Sequence, residues 1–167
     1  IRDSHYTYGR YGSTTTIELE NILKELEQAY HVFLTGTGFG GIALALMSLC
    51  RPGDEILVSD NVYGPTKEIS EKLLKEFNIN ARFYDPESFE DLKKKVTKKT
   101  KIILVENPGS ITFEFQDLSK IVNLAKKKKI YTLLDNTWGT PLYLQPFKLG
   151  FSISFSSATK YFSGHSD

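Results

Sequence analysis

Lys101-Ile102-Ile103-Leu104-Val105 and Ile130-Tyr131-Thr132-Leu133-Leu134 are two short apolar runs separated by a loop and the amphipathic stretch Leu118 to Lys128. Continuous runs of this kind suit strands covered on both faces, and a helix crossing between two such strands makes them parallel. The same rhythm repeats toward the N-terminus. Ala81 to Tyr84 precedes Phe89 to Lys98, Glu55 to Ser59 precedes Thr66 to Phe77, and His31 to Thr35 precedes Ile42 to Cys50. Downstream, the alternating Phe151-Ser152-Ile153-Ser154-Phe155 reads as one more strand. The pattern predicts a mostly parallel, doubly wound α/β sheet of about six strands. Ahead of it, Thr15-Thr16-Ile17-Glu18 has the form of a capping box, and Ile17, Leu19, Ile22, Leu23, Leu26 and Ala29 follow at helical spacing.

Composition narrows the function classes. The 167 residues are 40% hydrophobic and 25% charged, as expected for one folded domain. Twenty-one Lys plus Arg against twenty Asp plus Glu leave a formal charge of +1, so no global field calls for nucleic acid or an anionic membrane. The lysine runs 93–101 and 126–129 fall at helix C-terminal ends, where cations complement the helix dipole. Cys50 is the single cysteine and no Cys/His cluster has metal-ligand spacing, so neither a disulfide nor a metal is expected, and a cytoplasmic setting fits. The longest nearly apolar run, Gly40 to Leu49, is half the ~20 residues of a membrane span, and no signal-peptide pattern opens the chain. The sequence begins at Ile1 without methionine and stops just past a Ser/Thr/Gly-rich segment, which reads as a piece of something longer.

In doubly wound sheets ligands bind beyond the carboxyl ends of the strands, so the residues just after each strand are the ones to interrogate. The first such loop, Thr35-Gly36-Thr37-Gly38-Phe39-Gly40-Gly41, opens an apolar helix and offers unpaired backbone N–H groups to a phosphate. It also matches G-x-G-x-x-G, with Asp60 after the next strand where a ribose-binding acid would stand, so a nicotinamide or flavin oxidoreductase is one alternative. Asp135 ends an apolar strand, where a carboxylate is costly unless it caps a loop or meets a cationic ligand group. Lys160 follows another strand, amid the hydroxyls of Ser157 and Thr159. A phosphate loop, an acid for a pyridinium nitrogen and a lysine for an aldehyde are together the requirements of pyridoxal 5′-phosphate (PLP). Tyr63, at the end of a further strand, has a ring that could stack on the pyridine.

Ser157-Ala158-Thr159-Lys160-Tyr161 with Gly164-His165-Ser166-Asp167 resembles the PLP-lysine signature of the Cys/Met-metabolism (transsulfuration) enzymes. Tyr8-Gly9-Arg10, the glycine loop, Asn61-Val62-Tyr63-Gly64-Pro65, Glu106-Asn107-Pro108-Gly109-Ser110-Ile111-Thr112 and Leu134-Asp135-Asn136-Thr137-Trp138 match in order. The resemblance implies the PLP-dependent transferase-like fold (fold type I, aspartate aminotransferase-like), here as a large domain over residues 13–167 that is incomplete at its C-terminus. Residues 1–12 would be an arm that contacts the neighbouring subunit.

Carried over by resemblance, Lys160 is the catalytic lysine that bonds PLP and shuttles the proton, and Asp135 is the pyridinium partner. Gly38 and Phe39 offer backbone N–H groups to the phosphate, Ser157 and Thr159 add hydroxyls, and Tyr63 stacks on the ring and assists at the amino group. Tyr8 and Arg10 look like the pair that reaches the phosphate of the neighbouring subunit, which implies a homo-oligomer, a dimer or tetramer. Phe39 departs from the small residue or methionine usual at its position. The segment Pro108-Gly109-Ser110-Ile111-Thr112 is most like the cystathionine β-lyases, implying β-elimination of cystathionine, a sulfur-containing amino acid, to homocysteine, pyruvate and ammonia. Cystathionine γ-synthase or γ-lyase, methionine γ-lyase and cysteine desulfhydrase activities are the alternatives within the family, and a non-catalytic remnant is the alternative outside it. A truncated chain of this kind is expected to be weakly active or inactive alone, with unpaired sheet edges and exposed apolar surface.

Overall fold

The structure is a computed structural model that describes residues 8–165. Five strands form one sheet: β1 (Glu55–Ser59), β2 (Asn80–Tyr84), β3 (Thr100–Glu106), β4 (Tyr131–Asp135) and β5 (Ile153–Phe155). Their order is β2-β1-β3-β4-β5, and every neighbouring pair is parallel. The apolar runs are continuous because both faces are covered. Along β3, Ile102 and Leu104 join Ile56, Val58 and Leu133 beneath one helical layer, while Ile103 and Val105 join Leu57 and Leu134 beneath the other. This two-residue alternation splits one apolar run between two cores.

Helix α1 (Thr14–Glu27) precedes the sheet, and α2 (Gly38–Leu49) brings Ile42 and Leu46 to the first core. Between β1 and β2 the chain winds through α3 (Gly64–Glu68), a π-helical turn (Ile69–Leu73) and α4 (Leu74–Glu76). The opposite face is covered by α5 (Phe89–Lys95) and α6 (Leu118–Lys128), with Leu92, Ile121, Val122 and Ala125 buried. Short helices α7 (Thr140–Tyr143) and α8 (Pro146–Leu149) lead into β5. The chain steps from β1 outward to β2 and then returns to β3 on the other side of β1. The sheet therefore has its topological switch point between β1 and β3, where doubly wound folds open a ligand crevice.

Several boundaries differ from expectation. His31 to Thr35 is not a strand: it pairs with none of the described strands, and an extended segment without a ladder partner leaves its backbone groups to other acceptors. The described sheet therefore has five strands, not six. Helix α1 is capped by Ser13 rather than by the Thr15–Glu18 box, because Ser13 Oγ accepts from Thr16 N–H while Thr16 Oγ1 accepts from Ser13 N–H. Helix α2 starts at Gly38, four residues before the apolar run, because the Thr37 hydroxyl accepts from Gly40 N–H. The helix expected over 66–77 contains the π-helical turn, and α5 ends at Lys95 where Val96 turns extended. Apolar surface is open on α1, where Leu19, Ile22 and Leu26 are exposed. Of the expected arm over residues 1–12, residues 1–7 lie outside the described residues, as do Ser166 and Asp167 of the lysine signature.

Candidate active site at the carboxyl edge of the sheet

The site is built where the strands end. Asp135 closes β4, is only 8% exposed, and its Oδ1 accepts from the Thr137 N–H at 2.9 Å. Burial pushes its carboxyl above the usual carboxylate range, against the pull of the Thr137 hydrogen bonds and the Lys160 ammonium. Of the two fates open to Asp135 in the sequence, the loop cap is present, since its Oδ1 accepts the Thr137 N–H. Thr137 continues outward, its Oγ1 accepting from Ser157 N–H at 2.9 Å. Ser157 and Thr159 share a hydroxyl hydrogen bond of 3.0 Å, and Lys160 Nζ donates to Ser157 Oγ at 3.2 Å.

The glycine loop meets this cluster from a distant part of the chain. Gly38 lies so close to Ser157 that a Cβ at position 38 would fall 3.0 Å from the Ser157 Cβ. Gly38 and Phe39 occupy the first turn of α2, whose amides have no intrahelical acceptor, at the positive end of the helix dipole. The Phe39 ring is exposed, so only its backbone faces this role.

Tyr63 caps α3 on the far side of the switch point, its ring 48% exposed and its N–H donated to Glu106 Oε2 at 2.7 Å. Glu106 ends β3 directly in register with Asp135. Burial, and then the Asp135 charge, push the Glu106 carboxyl up to about 8 despite the Tyr63 hydrogen bond. Around the same crevice, Asn61 O accepts from Ser110 N–H at 2.8 Å, and Gln116 Nε2 donates to Ser59 Oγ and to the Glu106 carbonyl. Trp138 lies between Phe113 and Tyr161, with ring centroids 5.6 and 5.4 Å away, so the loops after β3, β4 and β5 are joined by aromatic contacts.

Sequence reasoning thus named Gly38, Phe39, Tyr63, Asp135, Ser157, Thr159 and Lys160, all at the sheet's carboxyl edge or the start of α2. Tyr8 and Arg10 form a separate cluster, with the Arg10 guanidinium over the Tyr8 and Tyr11 rings at 5.5 and 5.4 Å. Glu106 and Thr137 were passed over: each lay inside a quoted motif, but what they do depends on cross-strand register. The dinucleotide alternative loses its two supports. No strand precedes the glycine loop among the described residues, and Asp60 is ion-paired with Lys67.

The donor set fits PLP. Helix α2 offers amides, and Ser157 and Thr159 offer hydroxyls, to a phosphate; a buried carboxylate stands ready for a ring cation, and a primary amine is tied to the same cluster. No helix among the described residues is long and apolar enough to cross a membrane, and no His/Cys/Asp/Glu group among them could hold a metal.

A Saccharomyces cerevisiae protein provisionally named cystathionine β-lyase is 43% identical over 160 residues, 96% of this chain and 47% of its own. The cystathionine β-lyase of Bordetella avium is 38% identical over 161 residues, 96% of this chain and 40% of its own. The crystal structure of a Campylobacter jejuni protein assigned as an O-acetylhomoserine (thiol)-lyase, MetY, matches with a TM-score of 0.91 at 33% identity, over 96% of this chain and 40% of that one. It carries N′-pyridoxyl-lysine-5′-monophosphate. The chain spans less than half the length of these relatives. Residues 1–167 match the family described as Cys/Met metabolism PLP-dependent enzyme, and the chain belongs to that family.

Proposed function

We propose that this chain carries the cofactor site of a carbon–sulfur lyase of transsulfuration, and that the reaction is β-elimination of cystathionine to homocysteine, pyruvate and ammonia. The observation that carries this reading is the convergence of Lys160, Ser157, the first turn of α2 and the buried Asp135 on one edge of the sheet. Bound PLP supplies a protonated pyridine ring that accepts the electrons of the broken Cα–H bond. The chain's own residues do the rest. Asp135 would hold the proton on the ring nitrogen, the Gly38 and Phe39 amides with the Ser157 and Thr159 hydroxyls would hold the phosphate, and the Tyr63 ring would meet the pyridine. Lys160 Nζ would anchor the cofactor and, as a free amine, would take the α-proton of the substrate. The β-lyase reading is supported by the Pro108 to Thr112 segment and by the names of the relatives. In the whole protein, Tyr8 and Arg10 lie ahead of the large domain and reach the phosphate of a neighbouring subunit in a cytoplasmic homodimer or homotetramer.

The test is intact mass and peptide mapping after incubation with PLP and borohydride reduction, beside Lys160→Ala, with folding followed by circular dichroism. One pyridoxyl adduct on Lys160 is expected, although the chain has many competing lysines. Scattered or absent modification of a folded chain would overturn the site. Cystathionine turnover in the whole protein, read as pyruvate release, tests the reaction.

A further inference from the structure

The Glu106 carboxyl is a partly buried titratable group at the switch point that this mechanism does not use. It ends β3 beside Asp135, and its Oε2 accepts the Tyr63 N–H at 2.7 Å, so it bridges the crevice between the β1 and β3 loops. Tyr63 is held from both sides of its peptide unit. Its carbonyl accepts from Thr66 N–H at 2.9 Å and Lys67 N–H at 3.1 Å, which roots it in α3, and its own N–H is taken by Glu106. The ring is half-exposed and has no ring contact among the described residues. With no aromatic neighbour to stack on, the ring is carried where the two backbone anchors set the Tyr63 Cα.

We propose that Glu106 is a positioning residue of the cofactor site, which acts through the backbone amide of Tyr63 to hold that ring over the pyridine beside Asp135. This rests on the reading of Tyr63 and Asp135 as the groups that meet the ring. An aromatic ring contributes to cofactor binding only when it is presented correctly, and the tie from Glu106 to the Tyr63 amide fixes the backbone from which the ring projects. Keeping a carboxyl in this half-buried place works against its ionisation, which burial and Asp135 both oppose.

The experiment uses the full chain and four variants: Glu106→Ala, Glu106→Gln, Tyr63→Ala and Tyr63→Ala with Glu106→Ala. PLP dissociation constants come from bound-cofactor absorbance, and folding from circular dichroism and melting curves. Glu106→Ala is expected to weaken PLP about tenfold, whereas Glu106→Gln, which keeps an acceptor for the amide, stays within about threefold. In the Tyr63→Ala background, Glu106→Ala adds less than about twofold, because the ring it positions is gone. Multiplying losses in the double variant, or equal losses in the Ala and Gln variants, would overturn the proposal. A wild-type chain that folds but binds no PLP would instead overturn the site reading beneath it, and this inference with it.

Discussion

Gly38 and Ser157 touch across the site: a Cβ on Gly38 would lie 3.0 Å from the Ser157 Cβ and 3.1 Å from its Oγ. Ser157 cannot simply retreat, because its N–H is held by Thr137 Oγ1 at 2.9 Å. In Gly38→Ala the added methyl therefore pushes the Ser157 hydroxyl out of the phosphate cradle, and its crowding against the Ser157 Cα at 3.2 Å costs some stability as well. PLP titration should show a roughly tenfold weaker complex, with the cofactor-free chain still folded by circular dichroism and melting slightly lower. Unchanged affinity would mean that the cofactor does not sit between these two residues.

Asp135→Asn should move stability and binding in opposite directions. The folded state raises the Asp135 carboxyl above its ordinary value, so it binds more protons than the unfolded chain above that value. Stability then falls as pH rises through the range where Asp135 ionises, and the neutral amide removes that loss. Differential scanning calorimetry of the cofactor-free variant at pH 7 should give a higher Tm. Its PLP affinity should fall by about tenfold or more, the cost of losing a charge-assisted partner for the ring nitrogen. A lower Tm together with unchanged affinity would contradict both halves.

The strands that define the sheet were legible because continuous apolar runs have one economical use, a strand covered on both faces; Glu55–Ser59 and helix Leu118–Lys128 fall where the pattern puts them. His31 to Thr35 has the same local character and yet is no strand, since pairing is decided by which neighbours the chain brings alongside and a single segment does not carry that information. The π-helical turn at Ile69–Leu73 is likewise silent in residue identity. In the site, residues whose side chains have distinctive chemistry, Asp135 and Lys160, stood out. Glu106 did not, because its meaning comes from a register partner on β4 and an amide on the β1 side.

Trp138, the sole tryptophan, sits three residues beyond Asp135 and 5.4 Å from the Tyr161 ring next to Lys160. Its emission should be quenched as PLP binds, in step with adduct formation at Lys160. Replacing it with Phe should preserve the aromatic contacts to Phe113 and Tyr161 and change PLP affinity less than about threefold, while Trp138→Ala, which unties three loops, should cost about tenfold. A cofactor that labels Lys160 without quenching Trp138 would place the ring on another side of the lysine.

Glu27 ends α1 almost fully buried, its Oε2 without a hydrogen-bond partner, and burial pushes its carboxyl up to about 7. Its folded value lies above the 4.5 of an ordinary glutamate, so between the two the folded chain holds a proton that the unfolded chain has released. Unfolding then loses protons, and stability must fall as pH rises from about 4.5 toward 7 and stay at the lower level above it. Glu27→Gln removes the ionisation and keeps the shape. The variant should melt with the wild type near pH 4.5 and above it at pH 8, by about 2–4 °C for a gain of about 1 kcal/mol after allowing for partial solvent access. Equal melting temperatures at pH 8 would mean that the Glu27 carboxylate finds a partner or solvent in the folded chain.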